Sequence, residues 1–97
     1  GTLDVYDVWN GSLLHRWAAP AGALPAVDVH YGVAVVTAGT RVFAISLATG
    51  ARRVLLSAPA PVRAHLDDIG VVYAYNPARG GVIGFIPFAA VERALAA

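Results

Sequence analysis

Short apolar runs punctuated by turn residues organise this chain. Val33 to Thr37 is apolar and β-branched, with Gly32 before it and Ala38-Gly39-Thr40 after it. Val42 to Leu47 is closed by Ala48-Thr49-Gly50, Arg53 to Leu56 by Ser57-Ala58-Pro59, and Val62 to Leu66 runs into Asp67-Asp68. Runs this short, separated by Gly, Asn, Asp or Pro, are hairpin-connected strands. No interval between them is long enough for a crossover helix, which excludes parallel βαβ units. The pattern changes after Pro87. Phe88 to Ala97 reads FAAVERALAA, with Phe88, Val91 and Leu95 at helical spacing among strong helix formers, and predicts a C-terminal helix or cap.

The alternation within strands is of size rather than polarity. In Val42 to Leu47 the large Phe43, Ile45 and Leu47 alternate with Val42, Ala44 and Ser46, and in Val82 to Pro87 the large Ile83 and Phe85 alternate with Val82, Gly84 and Ile86. A sheet with one wet face would carry a polar residue at every second position. These strands therefore belong in sheets covered on both sides, and a small-residue face meeting a large-residue face would let neighbouring sheets approach closely.

The chain also repeats itself. Gly11 to Asp28 aligns without a gap on Gly50 to Asp67 at an offset of 39 residues, sharing the glycine, Ala19-Pro20-Ala21 with Ala58-Pro59-Ala60, and the final aspartate. Upstream, Leu3 to Gly11 lies over Val42 to Gly50. Downstream, Tyr31-Gly32-Val33 lies over Ile69-Gly70-Val71 and Arg41-Val42-Phe43 over Gly81-Val82-Ile83, with small changes of register. Four short antiparallel strands in about 40 residues is the arithmetic of a propeller blade. The expected fold is all-β: about two blades of a partial antiparallel β-propeller, followed by a short C-terminal helix. Its parts are a strand pair over 3–18, a blade over 25–57, an incomplete blade over 62–87 and a cap over 88–97. Closed propellers take about 4–8 blades, so further blades are expected as partners, in the same polypeptide or from other copies in a homo-oligomer. A compact β-sandwich is the alternative fold, and it leaves the self-match unexplained.

Arg41-Val42-Phe43-Ala44-Ile45-Ser46-Leu47-Ala48-Thr49-Gly50, with Gly32-Val33-Ala34-Val35-Val36 before it, resembles the strand and Thr-Gly turn of the pyrroloquinoline-quinone-like propeller repeats. Related WD-like repeats share part of this pattern. In the quinone-type repeat a docking tryptophan comes four residues after the glycine. His15 and Val54 stand there in this chain, and Trp17 is displaced by two positions. The resemblance implies a propeller fold and a cell-envelope or secreted setting. It also implies an enzyme alternative, a segment of a quinone-dependent dehydrogenase or of a lactonase-like propeller.

Composition narrows the function classes. With 58% hydrophobic and 13% charged residues, the chain has too little solvated surface for disorder. Its longest stretches without a charge, Val29 to Thr40 and Gly80 to Val91, contain glycine and fall short of the roughly 18 apolar residues of a membrane helix. The net charge is +1 and the seven arginines are scattered, with only Arg52-Arg53 adjacent, so no nucleic-acid surface is expected. There is no cysteine, hence no disulfide framework or thiolate metal site. Gly1-Thr2-Leu3-Asp4 lacks the basic start of a secretory leader.

His65, Asp67 and Asp68 are the densest polar cluster, and carboxylates beside a histidine are chemistry for cation binding or proton movement. The competing reading is that Asp67 repeats Asp28 as a turn residue whose side chain bonds local backbone. His15, His30 and His65 fall at different places in the repeat, so a shared metal is not expected. Ser12, Ser46 and Ser57 have no nucleophile elbow around them. Trp9, ahead of Asn10-Gly11 in a turn, is the aromatic best placed for surface recognition, whereas Tyr73 and Tyr75, in a strand, are expected to pack. No catalytic residues, metal or cofactor are expected. The reading is a non-catalytic propeller scaffold or binding module for a protein or ligand, with Trp9, His65, Asp67 and Asp68 as candidate binding residues.

Overall fold

The computed structural model describes residues 2–7, 9–18, 26–78 and 80–97. Ala19-Pro20-Ala21, one copy of the repeated tripeptide, and Pro25, the first residue of the expected blade, lie outside the described residues. Nine strands and a helix follow in chain order: β1 (Thr2–Tyr6), β2 (Leu13–Ala18), β3 (Ala26–His30), β4 (Val33–Ala38), β5 (Arg41–Ser46), β6 (Arg52–Ser57), β7 (Val62–Leu66), β8 (Gly70–Tyr75), β9 (Val82–Pro87) and α1 (Phe88–Ala96). Every pairing is antiparallel between chain neighbours, giving a two-stranded first sheet, a four-stranded second sheet (β3-β4-β5-β6) and a three-stranded third sheet (β7-β8-β9). Among the described residues these sheets form no closed ring.

The repeat is visible in the backbone itself. Asp7 N–H donates to Ser12 C=O at 2.9 Å and Gly11 N–H to Asp7 C=O at 2.8 Å. At the same 39-residue offset, Ser46 N–H donates to Ala51 C=O at 2.8 Å and Gly50 N–H to Ser46 C=O at 2.8 Å. Gly11 and Gly50 both take a left-handed φ, 73° and 78°, which is why glycine stands at each position.

The second sheet is the centre of the molecule, and β4 is buried along its whole length. One face, carrying Ala34, Val36, Ala38, Phe43 and Ile45, packs under Leu3 and Trp17 of the first sheet. The other, carrying Val33, Val35, Val42 and Ala44, packs on Val62, Leu66 and Val71 of the third sheet and on Val91 of α1. In the second sheet the size alternation thus does mark cover on both sides; in β9, where the same alternation leads to the same expectation, one face stays open, with Ile83 82% and Phe85 46% exposed.

The junction between the second and third sheets departs from the expected small-on-large packing. Val35 stands opposite Ala44 in the second sheet, and Tyr73 stands opposite Gly84 in the third. The repeat makes these pairs equivalent, and both point into the same interior. The two sheets therefore meet through like faces, with the large Ile83 and Phe85 turned outward. Two features fill the space between the two sheets. The Tyr73 ring lies across Gly84, closely enough that no β-carbon would fit there. Helix α1 inserts the fully buried Val91, with Phe88 and Leu95 beside it. The helix is amphipathic, so its apolar stripe finds its burial in that wedge.

Candidate functional site

Of the expected cluster of His65, Asp67 and Asp68, the first two take different partners. His65 is on β7, and its Nδ1 lies 3.2 Å from Asp28 Oδ2 on β3. The same Asp28 oxygen accepts a hydrogen bond from Leu66 N–H at 3.2 Å. Asp28 thereby ties the edge of the second sheet to the edge of the third, meeting a strand N–H that would otherwise stay unpaired. Asp67 is where a turn aspartate belongs: its Oδ1 accepts from Ile69 N–H at 3.0 Å and Gly70 N–H at 3.3 Å. Asp68 is exposed and makes no hydrogen bond or ion pair with the described residues.

Asp28 is not a turn residue, and this corrects the equivalence of Asp28 with Asp67. It sits in mid-strand opposite Val35. The register makes Val35 the counterpart of Tyr73, which stands opposite Ala64, so Asp28 corresponds to Ala64. Sequence alignment at constant offset misses this because the first strands of the second and third sheets, β3 and β7, differ in register. The carboxylate beside His65 is thus Asp28, distant in sequence and signalled there only by being charged inside a run of β-branched residues.

Trp9 is 93% exposed. Its loop is held by Trp9 N–H donating to Asp7 Oδ1 at 2.8 Å and Ser12 N–H donating to Asn10 Oδ1 at 2.8 Å, so the backbone is set without help from the indole. Tyr73 and Tyr75 are half-buried against the inner core, with their rings stacked 6.4 Å apart. His15 does not share a site with His65. Its ring stacks on Trp17, with centroids 5.5 Å apart, and packs against Gly50 of the second sheet. Among the described residues no group of three or more His, Asp or Glu is arranged to hold a metal, and no helix is long and apolar enough to cross a membrane.

The most distinctive surface is the outer face of the third sheet, which residue-type reasoning did not single out. Ile83 is 82% exposed and Phe85 46%. Their counterparts in the second sheet, Phe43 and Ile45, are 5% and 2% exposed because the first sheet covers them. Val72, also exposed, stands opposite Phe85, and Ala74 stands opposite Ile83. On the adjoining strand β7, Arg63 and His65 pair with Ala74 and Val72 and give this face a polar border. An open cleft of about 630 Å³ runs off its end, lined in part by Pro61, Arg63, Ala74, Asn76 and Ile83. Contiguous exposed apolar side chains rimmed by polar ones are the physical mark of an interaction surface. The large outward side chains were legible in the strand pattern, but which of them stayed uncovered was not.

No family model matches the chain, and comparison with curated proteins and with solved structures gives no match.

Proposed function

We propose that this chain is a non-catalytic scaffold or binding module, one segment of a larger stack of β-sheets of propeller type, acting by recognition across its sheet faces. The carrying observation is the contrast between two equivalent faces: Phe43 and Ile45 lie under a neighbouring sheet, while Ile83 and Phe85 face solvent. Burying such side chains is worth about 1.5–3 kcal/mol each, so the open face has a substantial drive toward a partner layer. The propeller reading draws support from the turns repeated at 39 residues and from His15, at the docking position, packing on the glycine of the next repeat. The like-face meeting of the second and third sheets favours a second reading, a β-sandwich wedged by its C-terminal helix. In both, the outer face of the third sheet is where the module meets something else.

Solution mass by light scattering, together with apolar-dye fluorescence, tests this on the chain and on its Ile83→Ser/Phe85→Ser variant. The expected result is self-association or dye binding by the chain, both lost in a variant with unchanged far-ultraviolet circular dichroism. A monomer that binds no dye and is indistinguishable from the variant overturns the reading.

A further inference from the structure

The outer face of the third sheet has a property beyond exposure: it is complementary to itself. Ala74 on β8 stands directly opposite Ile83 on β9, and two residues further along Val72 stands directly opposite Phe85. Each pair sets a smaller side chain beside a larger one, at two successive levels of the same face. A twofold axis parallel to the strands and lying between β8 and β9 exchanges these two strands while keeping each level in place. Under that operation Ile83 of one copy comes over Ala74 of the other, and Phe85 over Val72, each contact occurring twice. Such matching is what an isologous interface requires. The axis also moves the two β7 strands to opposite borders, so Arg63 and His65 of one copy stay clear of those of the other and form a polar rim around an apolar centre.

We infer that a second copy of this chain covers this face, the two third sheets stacking about that axis with Ile83 of each copy seated over Ala74 of the other. The inference rests on the proposed role of this face in recognition and names its occupant. The internal precedent is the second sheet, whose equivalent large residues are covered by another β layer bearing Leu3 and Trp17.

Two single substitutions and their mixture provide the test. Ala74→Leu fills the hollow and confronts Ile83 with a second large side chain, while Ile83→Ala removes the knob. Each variant alone should dimerise at least about tenfold more weakly than the parent chain, a change of about 1.4 kcal/mol. Circular dichroism should be unchanged, since both positions lie outside the core. An equimolar mixture should restore dimerisation. In a mixed pair the enlarged side chain of one variant meets the truncated side chain of the other, and the unaltered Ile83 of the first meets the unaltered Ala74 of the second. Sedimentation equilibrium reads all three. A dimer indifferent to both substitutions, open-ended association, or weakened variants without recovery on mixing would overturn the twofold arrangement. A monomer would overturn it too. If that monomer still binds apolar dye at Ile83 and Phe85, recognition by another partner survives and only self-pairing fails.

Discussion

The imidazole of His15 packs against Gly50 so closely that a β-carbon on the glycine would lie 3.0 Å from Nδ1. The contact joins the first sheet to the turn after β5, and Gly50 is itself the repeat counterpart of Gly11, four residues before His15. It is a link from one repeat to the next, made by a flat ring lying against a residue with no side chain.

Gly50→Ala and Gly11→Ala separate the two demands. Both positions have a left-handed φ, so each alanine should cost about 1–2 kcal/mol in backbone strain. An alanine at Gly11 meets open space, whereas one at Gly50 meets the imidazole. Urea unfolding should therefore show the larger loss for Gly50→Ala, and the excess should disappear in a His15→Ala background. Equal losses in the parent background would show that the ring exerts no constraint.

Tyr73 and Gly84 are coupled in the same way across β8 and β9. Gly84→Ala should destabilise by about 1–3 kcal/mol, as overpacking does. With Tyr73→Ala already present it should be neutral or stabilising, because glycine in a strand interior is unfavourable unless something occupies its space. Thermal melts of the four members of the cycle give the coupling.

Asp28→Ala removes the acceptor for Leu66 N–H and should cost about 1–3 kcal/mol through an unsatisfied, partly buried donor. Amide exchange at Leu66 should accelerate more than at its strand neighbours. His65→Ala, at the exposed end of the same contact, should cost less than about 1 kcal/mol.

The outward side of the first sheet carries an ion pair. Arg16 Nε lies 2.9 Å from Asp4 Oδ1 and Arg16 Nη2 3.2 Å from Asp4 Oδ2. The hydrogen bond from Arg16 holds the Asp4 carboxyl below its ordinary 3.8, against an opposing contribution from desolvation. A carboxyl lowered in the folded state stabilises above its unfolded value and loses that contribution as pH falls through its folded value, so the effect is confined to acid below about pH 4. Titration followed by carboxyl carbon shifts should show Asp4 rising toward 3.8 in Arg16→Met, with little change in melting at neutral pH.

Trp9→Ala should leave stability within about 0.5 kcal/mol of the parent, as exposed substitutions do. Asp7 and Asn10 already satisfy the turn. A large loss would place the indole in a packed site.

Local order was readable from the residues alone. Strand runs, turn glycines and the helix after Pro87 depend on neighbours within a few positions, and φ preferences, side-chain periodicity and local hydrogen bonds act at that range; the 39-residue self-match needs only the comparison of the chain with itself. The burial of β4 and β5 on both faces followed from the lack of polar alternation, because an uncharged face is costly to leave in water. Tertiary structure alone decided which faces meet. Tyr73 fills the space over Gly84 and Val91 wedges the interior, so the third sheet turns Val71 and Tyr73 inward and leaves Ile83 and Phe85 outside. The partnership of Asp28 with His65 and Leu66 was also a tertiary decision. It depends on two sheet edges lying side by side, and residues 37 and 38 positions apart carry no local signal of that.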